Sequence, residues 1–172
     1  MQTTIQAIRV PGPQAFWLDA IGKHQADYLP APQLAALATE LIARHPHLHH
    51  IDGFKVVYLW KRTGGEKGGK ATLGQCQKLS GLAKFLSGGE QIDETADFCI
   101  WLAADWLNDA STEKVEACTF HELRHIAADD DGRPFIQTHD VEMFADEVEL
   151  YGLYRPDLSE AANVLKQARI PF

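Results

Sequence analysis

At 172 residues, 45% of them hydrophobic and with three scattered cysteines, the chain has the size of one globular domain and excludes a disulfide framework or a thiolate metal site. No apolar run reaches membrane-spanning length, and the first residues lack the basic start and apolar stretch of a signal peptide, so a cytoplasmic protein with no membrane partner is expected. The net charge of -8 divides unevenly, with 10 basic and 5 acidic groups in residues 1–89 against 6 and 19 in residues 90–172.

Residues 1–32 hold four prolines and little periodicity, so residues 1–30 read as an extended leader packed on a single domain spanning 31–172. Trp17, Leu18 and Ile21 are its expected anchor. Ala31 to His45 reads as a helix, with Leu34, Leu37, Leu41 and Ile42 at helical spacing, Pro32 in the first turn and Pro46 as the stop. The following His45-Pro46-His47-Leu48-His49-His50 reads as a surface linker with no fixed geometry.

Phe54 to Trp60 alternates like a strand and is rich in β-branched and aromatic residues. Thr63 to Gly69 then predicts a flexible loop, and Ala71 to Leu79 a second, more polar strand that pairs with the first as a hairpin near a sheet edge. Lys61, Arg62, Lys67, Lys70, Lys78 and Lys84 stand against the single acid Glu66 in this stretch. They read first as solvating lysines, and alternatively as a weak nucleic-acid contact through Lys61, Arg62, Lys67 and Lys70. Gly64 to Lys70 also fits GxxxxGK, but Ala71 replaces the expected Ser or Thr and no helix follows, which argues against a phosphate loop.

Ala96 to Ala103 is almost wholly apolar and predicts a central strand covered on both faces. Cys76, Cys99 and Cys118 read as small buried side chains. Asp105 to Leu107 suggests a turn of helix, and Thr112 to Ala127 a longer one, capped by Ser111 or Thr112, with Phe120, Leu123 and Ala127 facing the core. After the solvated turn Asp129-Asp130-Asp131-Gly132 comes a short extended piece at Phe135-Ile136. A helix from about Asp140 carries Val141, Phe144, Val148 and Tyr151 at helical spacing, and Leu158 to Ala168 suggests a last one.

The informative motif lies inside the Thr112 helix: His121-Glu122-Leu123-Arg124-His125, the HExxH spacing. Residues four apart share a helix face, so both imidazoles can reach one ion, while Glu122 stands where it can take a proton from an attacking water. A catalytic zinc wants three protein ligands and an open position. His139, past a glycine-containing turn, is the first candidate for the third; Glu142, one turn further, is its rival. Tyr151 and Tyr154 are candidates to stabilise an oxyanion, set against an ordinary core role.

The order of elements around these residues resembles the small zincin-type metallopeptidases, most closely the metallopeptidase family found in phages and bacterial genomes. The matching pieces are Asp97-Phe98, Thr119 to Ile126, and His139-Asp140-Val141-Glu142-Met143-Phe144 with Tyr151-Gly152-Leu153-Tyr154 after it, over roughly residues 31–155. SprT-like proteases are a more distant likeness. The resemblance implies an α+β fold in which a three-to-four-stranded sheet packs on the HExxH helix and flanking helices, a Zn2+ cofactor, and a protein or peptide substrate.

Overall fold

The computed structural model describes residues 8–88, 94–139 and 145–152. Two compact units divide the chain, residues 1–138 and 139–172. The first is a mixed α+β body built on a four-stranded sheet in the order β1-β2-β6-β5, formed by Tyr28–Pro30 (β1), Val56–Lys61 (β2), Phe98–Ala103 (β6) and Gly74–Lys78 (β5). Two-residue strands at Glu66–Lys67 (β3) and Lys70–Ala71 (β4) make a separate hairpin.

The apolar run Phe-Cys-Ile-Trp-Leu-Ala is buried at every position. That pattern requires cover on both faces, and β6 accordingly lies inside the sheet, parallel to β2 and antiparallel to β5. The hairpin expected between β2 and the Ala71–Leu79 segment is therefore not formed. Alternation along each strand shows that both belong to a sheet, but the more apolar β6 takes the place between them and leaves β5 at the edge. The loop expected at 63–69 is also partly ordered, since β3 and β4 close over Gly68 and Gly69, both at positive φ. Lys70 sits on a strand rather than ahead of a helix, which removes the phosphate-loop pattern.

Helix α1 (Pro32–Arg44) forms as its spacing predicts and buries Leu34, Leu37, Ala38, Leu41 and Ile42. The histidine-rich segment after it is no loose linker. It winds into a 3-10 helix over Pro46–Gly53 that inserts Leu48 and Ile51 into the core. The expected anchor of residues 1–30 is displaced by one position: Phe16 is buried, whereas Trp17, Leu18 and Ile21 are exposed. Tyr28–Pro30 adds to the sheet beside β2.

Helix α2 (Gly81–Ser87) buries none of its residues, and α3 is the short turn Ala104–Leu107. Helix α4 (Thr112–Arg124) begins at the Ser111 cap, whose side chain accepts the Lys114 N–H. It buries every residue from Val115 to Leu123. It ends earlier than Ala127, because Ile126–Ala128 leaves the helix as strand β7 and pairs with Pro134–Ile136 (β8). In the second unit, Ala145–Tyr151 forms helix α5, which buries Glu147. The residues expected to begin this helix, with Val141 and Phe144, and the helix expected at 158–168 lie outside the described residues. No helix among the described residues is long and apolar enough to cross a membrane.

Candidate metal centre

His121 occupies the last turn of α4 and is buried. His125 is the C-cap, but its φ of -76 and ψ of -16 keep it in helical geometry, so the four-residue spacing still places both imidazoles on one face. Their ring centroids are 5.1 Å apart in an edge arrangement.

Chain reversal after the helix supplies the rest. Asp129 organises the turn by accepting the Asp131 and Arg133 N–H groups at 3.0 and 2.8 Å, and Gly132 takes the positive φ of 75°. Strand β8 then returns antiparallel, Ile136 opposite Ile126. Gln137 consequently lies beside His125: its N–H donates to the His125 carbonyl at 2.9 Å, and its own carbonyl accepts from His125 Nδ1 at 2.7 Å. A carbonyl only accepts, so the proton sits on Nδ1 and the ring lone pair is on Nε2.

Two residues beyond Gln137 comes His139. One ring nitrogen from each of His121, His125 and His139 lies within 4.8 Å of the others. The donor set fits a divalent transition ion: three imidazoles suit zinc, copper, iron or nickel, and one of them is already oriented by a backbone carbonyl, as metal-bound histidines usually are. His139 thus lies together with the two motif histidines. Glu142, its rival, lies outside the described residues, as do Asp140 and Tyr154; Tyr151 is half-buried on α5.

Glu122 is 6% exposed and turns toward the sheet. Its carboxylate faces β5, where Gly74 and Cys76 lie on the sheet face toward α4. Burial pushes the Cys76 thiol well above its usual range, and the Glu122 carboxylate and Cys99 add to the shift. Burial likewise raises Cys99. Both stay neutral thiols, unsuited to nucleophilic attack, as expected for buried cysteines.

The 3-10 segment braces the end of α4. His45 and His47 meet the Phe120 ring edge-on at 5.1 and 5.8 Å, and His50 Nε2 lies 2.8 Å from the Ile126 carbonyl. Further back, Arg44 bonds Glu116 at 2.8 Å and ties α1 to α4. These supports, the Gln137 carbonyl and Gly74 escape a motif search because they act through backbone or through missing bulk. An isolated glycine opening a strand was the one available signal, since it marks close approach.

Part of the basic stretch is drawn into the fold, while Lys67, Lys70 and Lys78 are exposed. Lys61 places its ammonium 4.2 Å over the Trp101 ring, and Arg62 bonds Asp27 at 3.0 Å. Lys67 and Lys70 oppose each other across the β3–β4 hairpin. Nothing in this arrangement supports a nucleic-acid contact.

No curated protein and no solved structure matches the chain. A protein-family model does, over residues 26–169, which include the sheet, the HExxH helix and His139. The chain therefore belongs to the family described as putative phage metallopeptidase, a family that implies a metal cofactor and a protein or peptide substrate.

Proposed function

We propose that this chain is a zinc-dependent metallopeptidase in which His121, His125 and His139 hold the ion and Glu122 is the general base. The observation that carries the reading is the approach of three imidazole nitrogens to within 4.8 Å, next to a buried carboxylate one residue from the first of them. Three neutral nitrogen donors with a remaining open position are the set of catalytic zinc.

Zinc held by these three histidines would supply Lewis acidity, making water a readier proton donor and polarising a substrate carbonyl. Glu122 accepts the proton of the attacking water on its carboxylate as the oxygen bonds to the carbonyl carbon. It returns that proton to the amine nitrogen as the carbon–nitrogen bond breaks, so one water is consumed per bond and Glu122 ends as it began. The His125 bond to Gln137 holds one ligand ring at a fixed angle throughout. Strand β5 is the sheet edge beside Glu122, and an extended peptide laid along it as a further strand passes this carboxylate.

Zinc per chain, measured by mass spectrometry, should be close to one in the wild type and far lower in His121→Ala. Equal content in both overturns the ligand assignment. Glu122→Gln should retain metal and fold but lose hydrolysis of an unfolded protein substrate. Activity at the wild-type level in that variant removes Glu122 as the base and favours a metal-binding protein that uses the fold without this chemistry.

A further inference from the structure

We propose that Gly74 is a positioning residue for Glu122: by lacking a side chain, it gives the carboxylate its seat against the edge strand. The proposal rests on the reading of Glu122 as general base. Gly74 opens β5 and pairs with Leu102 of β6, which puts its missing side chain on the sheet face toward α4. Its backbone is not in the left-handed region, so any residue can adopt its conformation. Glycine in a strand weakens it, because the backbone loses more freedom on folding and contributes nothing to packing. Space is the remaining reason for glycine here.

That space is shared by Leu102 and Glu122. A β-carbon at position 74 would lie 2.9 Å from Glu122 Oε1, 2.6 Å from Leu102 Cδ2 and 3.1 Å from the Trp101 carbonyl oxygen. None of these three nearest atoms belongs to a histidine ligand. Gly64 makes a useful contrast: a β-carbon there would meet the Thr72 carbonyl oxygen at 2.1 Å, with Ala103 and Trp106 beyond it, a purely structural crowding. At Gly74 the closest atom is also structural, Leu102 Cδ2, but the next is a carboxylate oxygen of the proposed base.

Cys76, next on the same face of β5, continues the wall with a buried thiol. Gly74 and Cys76 together thus bound Glu122 on the strand side while α4 holds its backbone. A general base acts only within hydrogen-bond reach of its proton, about 2.6–3.2 Å, so a methyl group that drives the carboxylate off β5 takes it out of line without touching the metal ligands.

The test is Gly74→Ala, with zinc content, thermal stability and steady-state kinetics measured together. Zinc content should stay at the wild-type level and KM should change little, while kcat falls by about ten- to a hundredfold. Thermal stability supplies a readout independent of turnover: Gly74→Ala should lower Tm less in a Glu122→Ala background, where the colliding carboxylate is gone, than in the wild type. Should the contact with Leu102 unfold the single variant, Leu102→Val removes the Cδ2 atom and serves as the common background for the same comparisons. An equal loss of Tm with and without the Glu122 side chain overturns the proposal, as does a wild-type kcat in Gly74→Ala. Full hydrolysis by Glu122→Gln is a different failure: it overturns the base assignment on which the proposal rests, and it leaves the Tm coupling intact.

Discussion

His125 donates its Nδ1 proton to the backbone carbonyl of Gln137 across 2.7 Å, so a ring on the motif helix is aimed by the strand pair that follows it. The same hairpin carries the chain on to His139, and the turn at Asp129 and Gly132 therefore sets the orientation of one proposed ligand and the approach of another.

His125→Ala removes a proposed ligand nitrogen and also takes from the Gln137 carbonyl the His125 Nδ1 donor. Zinc retained after dialysis should fall well below one per chain. The lost hydrogen bond should separately cost about 1–3 kcal/mol of stability in the metal-free protein. Equal zinc retention by variant and wild type would show that the ring is structural only.

Ser111 caps α4 about three turns ahead of His121. Its side chain accepts the Lys114 N–H at 3.3 Å and also bonds the Glu113 carboxylate, which its own backbone N–H and then this Ser111 bond hold below the usual glutamate range. Ser111→Ala should cost about 1 kcal/mol, and Ser111→Thr much less, because threonine keeps a hydroxyl that can both cap the helix and donate to Glu113. Urea unfolding of the metal-free protein measures both. No difference between the two variants would mean that the cap contributes nothing to the helix that carries the motif.

The parts legible in the sequence are those whose evidence is local. Leu34, Leu37 and Leu41 repeat at helical spacing and α1 forms there; the apolar run at β6 demands cover on both faces and receives it. HExxH and a histidine past a glycine turn are local patterns too, which is why His121, His125 and His139 could be named together. Pairing is not local. Alternation marks β2 and β5 as strands, but their separation by β6 depends on how three segments compete for the buried centre. The end of α4 is hidden for a similar reason: Ile126 and Ala127 continue an apolar helical pattern, and only β8 makes them a strand. Helix α2 buries no residue and so offers no one-sided core face, while Leu82, Phe85 and Leu86 remain exposed.

Phe16 and Ile21 separate the sequence expectation from the structure. Phe16 is 1% exposed and Ile21 81%. Phe16→Ala should therefore cost about 3–5 kcal/mol, by loss of burial and opening of a cavity. Ile21→Ala should stay within about 0.5 kcal/mol of the wild type. Chemical denaturation of the two variants decides the matter, and a larger cost at Ile21 would restore the anchor expected from Trp17, Leu18 and Ile21.

Asp97 should make stability depend on acid. It stands one residue before β6, where its carboxylate accepts from Lys84 Nζ at 2.7 Å and from the Lys55 N–H at 3.1 Å, joining α2 and the approach to β2 to the central strand. Burial opposes its ionisation, but the Lys84 hydrogen bond, the Lys55 backbone bond and the charges of both lysines outweigh it and hold the carboxyl below its ordinary value of 3.8. The folded state thus binds this proton less readily than the unfolded chain. Its contribution to stability is full above the unfolded value and is lost as pH falls through the lower folded one. Asp97→Asn cannot ionise and should be less stable than the wild type near neutrality. As pH drops below about 4, the wild type should lose this advantage and the two unfolding temperatures should converge. A Tm difference that stays constant from neutral to acid pH would show that the Lys84 and Lys55 contacts do not favour the charged carboxylate, and that Asp97 holds the start of β6 by shape alone.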